Sequence, residues 1–136
     1  MLARYFVNLD SRLEGLTKEY GVDIIISKGT ADRLKGIVVR EIDLVRVKGK
    51  QEPVAIFEPL GAISQVSAER STQAAEFGAA VSAYRSKEWD KAEKILRRLK
   101  DLNDELLYTV YLDRIASFRA DAPSSDWDGV FQHLSK

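Results

Sequence analysis

Cysteine is absent from this chain, and methionine and histidine occur once each. Without cysteine there is no disulfide, no thiolate nucleophile and no Cys-ligated zinc, a composition compatible with a reducing cytoplasm. The single His133 has no partner at metal-ligand spacing and is assigned no role. An excess of charge of one sign is missing as well. Twenty-one basic residues cancel 21 acidic ones, so no net field draws the chain to nucleic acid or to an anionic membrane. Long apolar runs are also lacking. The stretch Val22 to Ile26 is interrupted by Asp23 and falls far short of the roughly 20 residues that a spanning helix needs, and the first residues form no signal-peptide core. The expectation is a soluble, untargeted, cytoplasmic chain with no membrane segment and no nucleic-acid partner.

What is present is an ordinary globular composition: 45% hydrophobic and 31% charged residues over 136 positions, enough for one modest domain with an appendage. Leu9, Leu13, Leu16 and Tyr20 recur at helical spacing, predicting an amphipathic helix from about Val7 to Glu19 that Gly21 stops. Val22 to Ser27 is short, β-branched and bounded by glycines, which predicts a buried strand. A short helix is expected over Thr30 to Lys35, an extended region from Ile37 to Val47, and a further strand over Val54 to Glu58 after the Gly49-Lys50 turn. The composition then changes. Residues 62–72, rich in Ala, Ser and Gln, read as a linker or a frayed helix start, and helical spacing dominates from 73 onward.

Phe77, Val81 and Tyr84 mark one helix. Trp89, Ala92, Ile95, Leu96 and Leu99 mark a second, with Asp90/Lys94 and Glu93/Arg97 spaced as ion pairs on its wet face. A third is expected from about Asp104 to Arg119, followed by a draped or loose tail in which Trp127 and Phe131 pack back on the helices to close a small core.

Two segments carry a more specific pattern. Val7-Asn8-Leu9-Asp10-Ser11-Arg12-Leu13-Glu14 precedes Glu19-Tyr20-Gly21-Val22-Asp23-Ile24-Ile25-Ile26-Ser27, and Arg40-Glu41-Ile42-Asp43-Leu44-Val45-Arg46-Val47-Lys48-Gly49-Lys50 leads through Pro53 to Phe57-Glu58. Together, over about residues 6–60, they resemble the C-terminal half of a class III adenylate or guanylate cyclase catalytic domain. The resemblance implies an α+β fold, a partial ferredoxin-like sheet with helices, dimerising head to tail with each site built across the interface. It implies that Asn8 orients the ribose of a nucleoside triphosphate, that Arg12 stabilises the transition state and that Lys48 binds the terminal phosphates. The four-residue spacing of Asn8 and Arg12 places both on one helical face, and a guanidinium suits the charge that builds on phosphoryl oxygens.

The chain departs from that family where Arg4, Tyr5 and Phe6 replace an expected Gly-Asp and where Asp10 replaces a small residue. The metal-binding aspartates and the base-reading residues of the family would lie before Met1. The resulting expectation is a truncated cyclase-like chain, inactive alone, with no cofactor of its own, the Mg or Mn of a complete parent enzyme being held elsewhere. Asp10, Asp23 and Asp43 read as surface charges rather than substitute ligands.

Trp89, Ala92, Leu96 and Leu99 also resemble a degenerate tetratricopeptide unit, so an all-α tetratricopeptide-like extension is expected over 73–136. Two functions follow. Either the chain completes a nucleotide site with a cyclase catalytic domain, or it is a non-catalytic module that self-associates, as a homodimer, through an uncovered sheet edge.

Overall fold

The computed structural model describes residues 15–47 and 52–133. The fold is a four-stranded mixed sheet with five helices among the described residues. Helix α1 (Leu16–Tyr20) buries Leu16 and Tyr20 and ends at Gly21. Strand β1 is only Ile26–Ser27. The expected strand over 22–27 is therefore shorter, although Val22 and Ile25 are buried without pairing in it. Ser27 then caps helix α2 (Lys28–Arg33), its hydroxyl accepting from the Thr30 amide at 3.3 Å.

Strands β2 (Ile37–Val47) and β3 (Val54–Ala62) form an antiparallel hairpin. Its register slips between Glu41 and Asp43, where two steps along β2 oppose the single step from Phe57 to Ile56. An extra residue in one strand resets which side chains face which way. An unbroken strand would bury alternate residues, whereas here the consecutive Ile42 and Asp43 are both 0% exposed.

Helices α3 (Ala68–Arg85), α4 (Trp89–Leu102) and α5 (Leu106–Ala120) follow. Ser67 caps α3 by accepting from the Arg70 amide at 3.0 Å. The stretch 62–72, expected as a linker, thus holds the end of β3 and the first turn of α3. On α4, Glu93 and Arg97 pair as their spacing predicts, whereas Asp90 turns to Arg119 of α5 at 2.7 Å.

The expected loose tail is corrected by strand β4 (Phe131–His133), which pairs in parallel with Val45–Val47 and gives the order β1-β3-β2-β4. Trp127 anchors the approach to β4 by packing against Tyr84, Trp89 and Phe118 at centroid distances of 5.5, 6.0 and 5.0 Å. Large rings bury enough apolar area to hold a short segment down.

One apolar core joins the whole. Tyr20, Ile42, Val45 and Ile56 from the first part sit with Phe77, Tyr84, Leu96, Leu99, Leu107, Tyr111 and Ile115 of the helices. A smaller cluster of Ile26 and Ala31, with Val39 and Phe57 against it, covers α2. No helix among the described residues is long and apolar enough to cross a membrane.

Candidate functional site: a buried charged seam along strand β2

Asn8, Arg12 and Lys48 lie outside the described residues, as does Asp10. Their sequence neighbours do not. Arg12 precedes Leu16, the first residue of α1, by four positions, and Lys48 directly follows Val47, the last residue of β2. What holds α1 against β2 therefore bears on both segments.

That contact is made by Asp43, and its reading as a surface charge is corrected. Asp43 is fully buried, whereas Asp23 is exposed as expected. The Tyr20 hydroxyl donates to Asp43 Oδ2 at 2.5 Å, tying α1 to β2. The Leu44 amide donates to Oδ1 at 2.8 Å. The Tyr111 hydroxyl of α5 lies 3.0 Å from Oδ1 and 2.7 Å from the Ile42 carbonyl, and its one hydrogen serves one acceptor at a time. Arg114, also of α5, sets Nη2 2.8 Å from Asp43 Oδ2 and donates to the Tyr20 oxygen at 3.2 Å. Its guanidinium lies 3.7 Å from the Phe131 ring centroid on β4 and 5.0 Å from that of Tyr111.

The electrostatics follow from burial. Desolvation, then the nearby Asp43 charge, push the Tyr20 and Tyr111 hydroxyls well above the usual phenol range, so both stay protonated donors. Burial disfavours the Arg114 cation, but Asp43 beside it more than offsets this and keeps it charged. Removing one member of such a pair leaves the other buried and uncompensated, at a cost of about 3–5 kcal/mol.

Asp43 is one of four charged residues on β2, and all four meet residues beyond position 62. Arg40, 2% exposed, donates to Glu58 of β3 at 2.5 Å and to Glu105 at 3.0 Å, with its guanidinium 5.5 Å from the Phe77 ring. Glu105 also takes Arg70 at 2.8 Å. Burial pushes the Glu105 carboxyl up, and Arg40 and Arg70 outweigh that and hold it below the usual range. Glu41 pairs with Arg85 at 3.1 Å, and Arg46 with Asp128 at 3.2 Å.

Periodicity missed Arg114 and Tyr108 as buried members of α5, because it scores a helix face by its apolar residues alone. The available signal was a strand carrying Arg40, Glu41, Asp43 and Arg46 between β-branched residues, more charge than one solvent-facing edge accounts for.

Chemically this seam positions rather than reacts. Each Asp43 oxygen already faces donors or a cation, which leaves it poorly suited to a divalent metal. Among the described residues no three His, Asp or Glu side chains converge as a metal group. The described residues thus do not fit the two divalent ions that nucleotide cyclisation employs.

Comparison with known proteins gives a direction. No protein-family model matches the chain, and no solved structure matches it. The chain is 45% identical over 56 residues to an adenylate cyclase of Anabaena cylindrica, covering 38% of this chain and 11% of that protein. It is 31% identical over 70 residues to adenylate cyclase 1 of Rhizobium meliloti (strain 1021), covering 51% of this chain and 10% of that protein. The chain therefore spans about a tenth of the length of these curated relatives, and over that stretch it is adenylate cyclase-like.

Proposed function

We propose that this chain is the C-terminal portion of a class III adenylate cyclase catalytic domain, joined to a tetratricopeptide-like helical extension. In this reading α1, β1, α2, β2 and β3 belong to a ferredoxin-like unit, and a second chain completes the site. Self-association alone then gives no turnover, and a cyclase catalytic domain is the productive partner. The observation that carries it is the 45% identity to an adenylate cyclase. The helix, strand, helix, strand, strand order expected from the sequence supports it.

The reaction is an in-line attack of the ribose 3′ hydroxyl on the α-phosphorus of ATP, with pyrophosphate leaving. Negative charge builds on the phosphoryl oxygens, and fixed donors aimed there lower the barrier. Asn8 orients the ribose through its amide. Arg12, four residues on, meets the α-phosphoryl oxygens with a planar guanidinium. Lys48 places a point charge on the terminal phosphates and contributes to binding more than to the chemical step. Carboxylates for the divalent ions come from outside the described residues.

The test measures cyclic AMP from ATP and manganese with the chain alone, and mixed with a cyclase domain that keeps its aspartates but lacks its transition-state arginine. Product in the mixture only, abolished by Arg12→Ala, is expected. Association of the two proteins without product overturns the catalytic reading in favour of a binding module.

A further inference from the structure

We propose that Arg114, on helix α5, is a positioning residue for the nucleotide site, fixing the helix that follows Arg12 against the strand that leads to Lys48. The proposal rests on the roles given to Arg12 and Lys48 above. Its structural half stands on the described residues.

One guanidinium contacts three elements besides its own. Through Nη2 alone it reaches Tyr20 of α1 at 3.2 Å and Asp43 of β2 at 2.8 Å, and its plane lies against Phe131 of β4. The Tyr20–Asp43 bond would join α1 to β2 without it, but Arg114 supplies the positive charge that lets both oxygens share so small a volume. The bulge at Ile42 is what turns Asp43 inward to meet it. Strand β4 pairs with Val45–Val47, the three residues immediately before Lys48, so the Phe131 contact braces the same strand end.

A buried ion pair is a poor way to gain stability, since apolar residues of similar volume often serve as well. What it supplies is direction. An apolar contact tolerates sliding and rotation, whereas Asp43, Tyr20 and Arg114 satisfy one another in a single arrangement. Helix α5 thereby becomes the reference against which both phosphate-binding segments are placed, and displacement of α5 by a partner on the helical surface reaches them together.

The double replacement Asp43→Leu with Arg114→Met separates position from stability, because it removes both charges and leaves neither uncompensated. The melting temperature is expected to stay near that of the parent chain. In the mixed cyclase assay kcat is expected to fall by about 10- to 100-fold, the scale of a misplacement near 1 Å, with KM for ATP nearly unchanged. Val81→Ala, in the core of α3 and away from this contact, serves as the control: it lowers the melting temperature and leaves kcat per folded molecule unchanged.

Amide hydrogen exchange on the full chain supplies a readout that needs no activity. Faster exchange confined to residues 16–20 and 43–47 in the double variant, absent in Val81→Ala, is expected. Unchanged exchange there, or unchanged kcat, overturns the positioning role. If the parent mixture makes no cyclic AMP, the cyclase reading fails on its own, and exchange still decides whether Arg114 fixes α1 on β2.

Discussion

Gly21 lies directly beneath Leu106: a Cβ built at position 21 would stand 2.7 Å from the Leu106 Cβ and 3.1 Å from its Cδ2. The glycine is also in the left-handed region, at φ 69°, where it closes α1 with its amide on the Thr17 carbonyl. Two independent reasons thus exclude a side chain, the backbone conformation and the approach of α5.

Gly21→Ala is therefore expected to destabilise the chain by at least about 2 kcal/mol, combining the left-handed penalty of roughly 1–2 kcal/mol with the shift forced on Leu106. Gly15→Ala is the matched control, since nothing lies within 4 Å of its built Cβ and its φ is −77°. It should be neutral or slightly stabilising. Chemical denaturation of both variants followed by circular dichroism makes the comparison.

Alkaline stability should report the buried phenols. Tyr20 and Tyr111 are raised in the fold, so below about pH 10 both states are protonated and their contribution is complete. Above pH 10 the unfolded chain loses protons that the folded one keeps. Stability then falls with rising pH, by up to ~1.4 kcal/mol per unit for each tyrosine. Tyr111→Phe should cost about 1 kcal/mol at neutral pH through the lost hydrogen bond and show a shallower alkaline fall. Equal slopes for the two proteins would contradict the burial argument.

How far this was legible in the sequence depends on which forces are local. Gly21 as a helix stop, the α4 start at Trp89 and the β2–β3 hairpin all follow from turn chemistry and periodicity, and they are found where expected. Strand β4 was not legible, because three residues that pair with Val45–Val47 across some 85 positions carry no local signal. Asp43 was misread for a related reason. Its burial depends on the bulge at Ile42 and on Tyr20, Tyr111 and Arg114, which come together only in the fold. Asn8, Arg12 and Lys48 were legible only as a family resemblance, and no described coordinate bears on them.

Acid stability should report Glu105. Its carboxyl is lowered in the fold, so its contribution is present above the ordinary carboxylate range and is lost as pH falls through the folded value. Glu105→Gln removes that charge from Arg40 and Arg70, while Glu58 still holds Arg40. The expected cost is about 1–3 kcal/mol at pH 7, shrinking as the pH drops until the two proteins converge. Urea titrations from pH 7 to pH 3 read the convergence; a constant gap would assign the loss to packing instead.

The boundary between the two parts is a boundary in composition but not in stability. Ile42, Val45 and Ile56 are each 0% exposed, in the same core as Phe77, Tyr84, Leu107 and Tyr111. Cutting after Ala62 would return those three side chains to water, each losing about 1.5–3 kcal/mol of burial. It would also strip Arg40 of Glu105, Asp43 of Arg114 and β2 of its β4 neighbour. Typical stabilities of 5–15 kcal/mol do not absorb that sum. A fragment of residues 1–62 is thus expected to show no cooperative thermal transition, whereas residues 1–133 should melt in a single one. A cooperative transition in the short fragment would mean that the cyclase-like part carries its own core, and that the charged seam along β2 is a contact between separable units.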